Sequence, residues 1–175
     1  MNVGAEAERA IPLTTLADTE RLAGEALAAL PPGALLVLSG PLGSGKTTFT
    51  QALASRLGVE APVTSPTYTL VHEYPSPEGT LVHLDAYRLG GGAGLAGAML
   101  DDYGWRARLV VVEWGEGLLE AYPEAWQLAF SFAPAAPGGA APLRQARWLR
   151  THGPTRHTGG SGGEPTGTPG ERAGP

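Results

Sequence analysis

"GPLGSGKTTF", residues 40–49, contains the only lysine in the chain; every other basic residue among the twelve is arginine. The stretch follows "ALLVL" (34–38), a short continuous apolar run of the kind that marks a strand buried on both faces. It opens "KTTFTQALASRLG" (46–58), a helical segment closed by Gly58 at the C-cap position. Gly40, Gly45, Lys46 and Thr47 satisfy the spacing G-x-x-x-x-G-K-[ST] between a strand and a helix, the context that gives this spacing its meaning. Small residues at 43–45 let the backbone curl so that successive N–H groups and the start of the next helix face anionic oxygens. Lysine brings a compact charge on a flexible stem that reaches β- and γ-phosphates, a space to which arginine's broad planar fork is poorly suited. Thr47 offers a hydroxyl to Mg²⁺.

Outward from this loop the pattern alternates helix and strand. "TLADTERLAGEALAAL" (15–30) gathers Leu22, Ala26, Leu27 and Leu30 on one face, has Thr15 or Asp18 as N-cap, and stops at Pro31-Pro32-Gly33. "TYTLVHEY" (67–74) and "TLVHLDAY" (80–87) flank the turn-like "PSPEG" and predict a hairpin. "RLVVVEW" (108–114) reads as another buried strand; "WQLAFSF" (126–132) puts Trp126, Leu128, Phe130 and Phe132 on one side, and "LRQARWL" (143–149) can pair with it. The expected fold is α/β: a single P-loop NTPase domain whose mixed sheet has a parallel centre and antiparallel edge strands, with helices on both faces. "GGGAGLAGA" (90–98) reads as a mobile loop leading into a short helix. Residues 151–175, about half Gly and Pro and without a large apolar residue beyond Pro, are expected to be a disordered tail after a domain spanning 1–150.

Composition narrows the classes. At 175 residues, 42% hydrophobic, 17% charged and a net charge of −5, the chain has the balance of one soluble domain. No run approaches the roughly 18 apolar residues of a membrane span, and the first residues lack the basic start and apolar stretch of a signal peptide, so a cytoplasmic protein is expected. The absence of cysteine excludes disulfide scaffolds and thiolate metal sites. The acidic balance argues against unaided gripping of nucleic acid, so any such role needs a partner.

A nucleoside triphosphate site also needs carboxylates. Glu113 ends the run "LVVVE" and so emerges at the C-terminal edge of a central strand, where it can hold Mg²⁺ directly or through water. Asp85, after the strand in "HLDAYR", can order an attacking water or back up the metal shell. "TSPTYT" (64–69) is a candidate switch-like loop, sensing a γ-phosphate through Ser65 or Thr67.

Taken in order and spacing, "GPLGSGKTT", "VTSPTYTLVHEY", "HLDAYRL" and "VVVEWGE" resemble the TsaE family, the bacterial ATPases of tRNA threonylcarbamoyladenosine biosynthesis, from about Ile11 to Arg150. The resemblance implies that ATP and Mg²⁺ are the cofactors. It implies ATP hydrolysis, slow without partners, that drives or resets a complex of a transferase subunit and its paralogue-type partner, with tRNA reached only through that complex. It also implies that Gly40, Leu42, Gly43, Ser44, Gly45, Lys46, Thr47 and Thr48 cradle the phosphates, that Thr47 and Glu113 serve Mg²⁺, and that Asp85 lies near the reacting phosphate. Thr19 matches a threonine on the adenine side, Arg144 a late basic residue near the nucleotide, and Trp114 the tryptophan of the family's E-W pair. Three features depart from the pattern: Pro41 replaces an acidic residue and removes an N–H at the loop's entrance, Ala86 replaces a leucine, and "GGGAGLAGA" replaces a Pro/Glu-rich helix start.

Three rival functions share the loop. A small-molecule kinase would also need an acceptor site and a lid, for which Arg88, Arg106 and Arg108 are the candidates. A nucleotide-sensing adaptor would bind ATP and scarcely hydrolyse it. A regulatory GTPase is disfavoured because no N-K-x-D occurs.

Overall fold

A computed structural model describes residues 9–65, 70–87, 93–103, 106–134 and 143–150. In chain order the elements are β1 (Ile11–Pro12), α1 (Leu16–Ala29), β2 (Ala34–Ser39), α2 (Lys46–Leu57), β3 (Val71–Tyr74), β4 (Thr80–Asp85), α3 (Ala93–Tyr103), β5 (Ala107–Glu113), a 3₁₀ turn (Glu116–Leu118), β6 (Trp126–Phe132) and β7 (Arg144–Arg150). The strands join in one sheet ordered β1-β7-β6-β2-β5-β4-β3. The centre is parallel, with β2 between β5 and β6 and with β4 parallel to β5. The edges are antiparallel: β3 on β4, β7 on β6, and β1 on β7. This is the expected mixed α/β sheet, extended by the two-residue strand β1 that the sequence pattern did not reveal.

Each face of the sheet carries its own core. Leu36 and Leu38 of β2, Leu109 and Val111 of β5, and Leu128 and Phe130 of β6 pack with Leu22 and Ala26 of α1 and Phe49 and Leu53 of α2. On the opposite face Val82 and Leu84 of β4 and Val110 and Val112 of β5 pack with Ala96 and Leu100 of α3. The central strands therefore read as unbroken apolar runs, whereas β6, covered on one face, alternates buried Trp126, Leu128 and Phe130 with half-buried Gln127, Ala129 and Ser131. Among the described residues no helix is long and apolar enough to cross a membrane.

Local chemistry sets the helix ends. Thr15 is the N-cap of α1; its hydroxyl accepts from the Asp18 N–H, and the Asp18 carboxylate accepts from the Thr15 N–H at 2.8 Å, a reciprocal capping box. Of the two N-cap candidates, Thr15 is the cap and Asp18 its partner. At the other end of α1, Arg108 donates to the carbonyls of Leu27 and Leu30, at 3.2 and 3.3 Å. Helix α2 ends at Gly58, whose φ of +79° is the left-handed cap geometry expected of it. Helix α3 forms despite Gly94 and Gly97, each costing roughly 1 kcal/mol relative to alanine. Tyr122 helps hold it, its hydroxyl lying 3.0 Å from the Gly97 carbonyl and 3.1 Å from Asp101. The loop before α3 (residues 90–92) and the tail at 151–175 lie outside the described residues.

The Asp18 carboxyl is lowered from 3.8 to about 2, first by the backbone and hydroxyl hydrogen bonds of Thr15 and then by Arg21. A depressed native pKa stabilises the fold fully above the unfolded value and loses that contribution as pH falls toward the native one. Thr15→Ala is expected to cost about 1 kcal/mol at neutral pH. In thermal melts at pH 7 its deficit and that of Asp18→Asn should be evident, and the Asp18→Asn deficit should fade between about pH 4 and pH 2.

Candidate functional site

The glycine loop is pinned at one end and open at the other. At Gly40, φ is +126°, and an added Cβ would stand 2.2 Å from the Phe130 carbonyl oxygen, so the loop leaves β2 pressed against β6. At Gly43 (φ +75°) an added Cβ would meet nothing within 4 Å, and at Gly45 (φ +108°) nothing closer than 3.9 Å. Gly45 is also the N-cap of α2 and supplies no side chain to the first-turn N–H groups. An open concavity faces a helix start whose donors no side chain caps, which suits an anion. The Leu42 side chain is 87% exposed, so its contribution to such a cradle is through the backbone.

Lys46 is only 4% exposed. Its ammonium donates to the carbonyls of Gly40 at 2.7 Å and Pro41 at 3.0 Å and lies 4.2 Å from the centre of the Trp114 ring. Burial pushes its pKa down, opposed by the charges of Glu113, Glu116 and Asp85. Pro41 gives up an N–H but still serves the loop through its carbonyl, which also accepts from the Ser44 N–H at 3.3 Å. Trp114 lies just past β5, which ends at Glu113, one residue before the end expected from 108–114, and its φ of +59° is left-handed. Its N–H donates to the Leu38 carbonyl at 3.2 Å, which holds the turn against β2.

The carboxylates meet the loop at the C-terminal ends of the strands. Thr47, in the first turn of α2, donates its hydroxyl to Glu113 Oε1 at 3.0 Å. His83 Nε2 lies 3.0 Å from the same oxygen, with the ring fully buried. Asp85, the last residue of β4, pairs in register with Glu113 and accepts from the Tyr87 N–H at 3.1 Å. Among the described residues no three His, Cys, Asp or Glu side chains gather as a complete metal cage. A hydroxyl and a carboxylate converging beside the glycine loop could hold Mg²⁺, which takes one or two protein oxygens and draws its remaining ligands from phosphate and water.

On the other side of the loop a cleft of about 130 Å³ is lined by Leu13, Thr15, Thr19, Ser44, Thr48 and Arg144 among others. The buried Ser44 hydroxyl has no hydrogen-bond partner among the described residues. Thr19 and Arg144, distant in sequence, thus share one cavity with the glycine loop, and the capping box at Thr15 sets its wall.

Of the expected site residues, Lys46, Thr47, Asp85 and Glu113 come together around the mouth of the loop. Thr19, Ser44, Gly45, Thr48 and Arg144 come together in the adjoining cleft. Thr67 lies outside the described residues, whereas Ser65 ends a described stretch held by Gln51, which donates to the Val63 carbonyl at 2.9 Å. Two of the lid candidates are engaged elsewhere: Arg108 caps α1 and Arg106 pairs with Asp102 at 3.3 Å; Arg88 lies outside the described residues. Ala86 is buried in the core under α3. His83 was not foreseen as a site residue, although period two along a strand puts residues 83 and 85 on one face.

A mixed sheet with a glycine loop between a central parallel strand and a helix defines the class as the P-loop NTPase fold. Residues 13–136 match the family described as threonylcarbamoyl adenosine biosynthesis protein TsaE, and the chain belongs to that family. It is 47% identical over 94 residues to the tRNA threonylcarbamoyladenosine biosynthesis protein TsaE of Streptomyces coelicolor, covering 53% of this chain and 64% of that one. The Bacillus subtilis protein of the same name is 37% identical over 107 residues, 61% of this chain and 66% of the relative. The chain thus spans slightly less than two thirds of the length of these relatives. The crystal structure of Bacillus subtilis YdiB superposes with a TM-score of 0.62 at 28% identity, over 80% of this chain and 83% of that one.

Two glycine substitutions separate folding from cradle. Gly40→Ala meets a backbone carbonyl and is expected to cost about 3 kcal/mol in denaturant unfolding. Gly43→Ala has open space and should cost only the left-handed backbone penalty, about 1 kcal/mol.

Proposed function

We propose that the chain is a Mg²⁺-dependent ATPase of tRNA threonylcarbamoyladenosine biosynthesis, working in the cytoplasm. Its nucleotide cycle drives or resets a threonylcarbamoyl transferase complex made of a transferase subunit and its paralogue-type partner. Contact with tRNA comes through that complex, in keeping with the net charge of −5. The observation that carries the proposal is the convergence of Thr47 Oγ1 and Glu113 Oε1, 3.0 Å apart, beside buried Lys46 at the open mouth of the glycine loop.

In this reading the loop N–H groups from Gly43 to Thr48 hold the phosphates. Lys46 exchanges its two loop carbonyls for β- and γ-phosphate oxygens and keeps its charge against the Trp114 ring. Thr47 and Glu113 would hold Mg²⁺, which when bound would supply charge neutralisation at the phosphoryl group. Asp85 orients the attacking water. Thr19 and Arg144 line the cleft that takes the nucleoside. The engagement of Arg106 and Arg108 weighs against a kinase lid.

The deciding experiment is phosphate release from ATP by the full chain, alone and with the transferase subunit, its partner and tRNA. Stimulation by the partners is the expected result. Turnover unchanged by them, or phosphate appearing on a small acceptor, would overturn the proposal. Lys46→Ala should weaken ATP binding roughly 10- to 100-fold, the loss of one charged hydrogen bond. Glu113→Gln should lower turnover on the order of 100-fold while changing nucleotide affinity far less.

A further inference from the structure

We infer that His83 is a positioning residue for Glu113: its Nε2–H and the Thr47 hydroxyl together fix one carboxylate oxygen and so set how the other is presented to the nucleotide. The consequence for turnover rests on the ATPase reading above; the contact itself does not.

The sheet register makes the contact. His83 pairs with Val111 and Asp85 with Glu113, so side chains 83 and 85 of β4 lie on the same face as Glu113, with His83 diagonal to it. That face is the one α2 covers, and from α2 Thr47 reaches the same carboxylate. An ionised carboxylate only accepts, so the 3.0 Å contact requires the ring proton on Nε2. Nδ1 is buried and has no hydrogen-bond partner among the described residues, which leaves Glu113 as the contact that orients the ring. A fully buried imidazole among the buried Leu81, Val82 and Leu84 of β4 is a costly choice for core filling alone.

The two donors fall on Oε1, and neither draws on Oε2. Thr47 has a single hydroxyl proton; having given it to Glu113, it keeps lone pairs for a cation. Without His83 the Glu113 carboxylate would be held by Thr47 alone, the same hydroxyl that is asked to serve the metal. His83 thus frees Thr47 from being the sole anchor, in the way outer partners orient metal-binding groups.

The test has two arms. Nitrogen-15 spectra of the histidine rings of the full chain, with His83 assigned by its loss in His83→Gln, should show Nε2 protonated and its resonance moved by Glu113→Gln. A ring protonated on Nδ1, or one indifferent to Glu113→Gln, would overturn the inference. In the second arm, His83→Leu should lower kcat for Mg²⁺-dependent phosphate release on the order of tenfold with KM little changed, whereas His83→Gln, which can still donate, recovers most of it. Equal losses in both variants, or wild-type kcat in His83→Leu, would contradict it. A wild-type chain without turnover would sink the ATPase reading alone, and the ring spectra would still decide the contact.

Discussion

The hydrogen bond from Thr47 to Glu113 joins residues 66 positions apart, and the rest of the site depends on it. It can form because β2 and β5 are parallel neighbours with Leu38 opposite Glu113, so the loop leaving β2 turns directly over the end of β5. Gly40 keeps that turn tight, since a side chain there would collide with the Phe130 carbonyl. The two-sided core then locks the arrangement: α2 is held on the sheet by Phe49 and Leu53, and β5 is held from the opposite face by α3. A dense interior leaves little room for such elements to slide, so the hydroxyl and the carboxylate stay aligned.

Electrostatics explains why a buried lysine is tolerable. Its ammonium is hydrogen bonded twice, rests on an aromatic face, and lies in the field of three carboxylates, which together offset part of a desolvation that still lowers its pKa. The left-handed backbone at Trp114 belongs to the same device, because it turns the chain back after β5 and brings the ring over Lys46. Such local strain is characteristic of sites where geometry matters more than stability. The acidic end of the sheet and the donor-rich loop complement each other, as the proposed phosphate and metal site requires.

Much of this was legible in the chain. The spacing of Gly40, Gly45, Lys46 and Thr47 between an apolar run and a helix located the loop, and period-two patterning located β6 and its partner β7. Glu113 was placed correctly because an acidic residue closing a buried strand can only emerge at its edge. What stayed hidden depends on pairing between distant segments. Strand β1 has two residues and no periodicity of its own, and it exists because β7 offers an edge. Arg108 was a lid candidate in the sequence, whereas its guanidinium caps α1 through the Leu30 carbonyl, 78 residues away. His83 required the register of β4 on β5, which a single sequence does not display. The choice of Thr15 over Asp18 as cap rested on backbone angles rather than residue type, since both can cap.

In the proposed function, Thr47 and Glu113 complete a metal site around nucleotide phosphates. The most direct measurement is calorimetric titration of the full chain with a non-hydrolysable ATP analogue, in Mg²⁺ and in chelator, for the wild type and for Thr47→Val. Mg²⁺ is expected to raise wild-type affinity by about tenfold or more, roughly 1.4 kcal/mol, and that gain is expected to vanish in Thr47→Val. Equal affinities with and without Mg²⁺, or a gain that survives loss of the Thr47 hydroxyl, would contradict it.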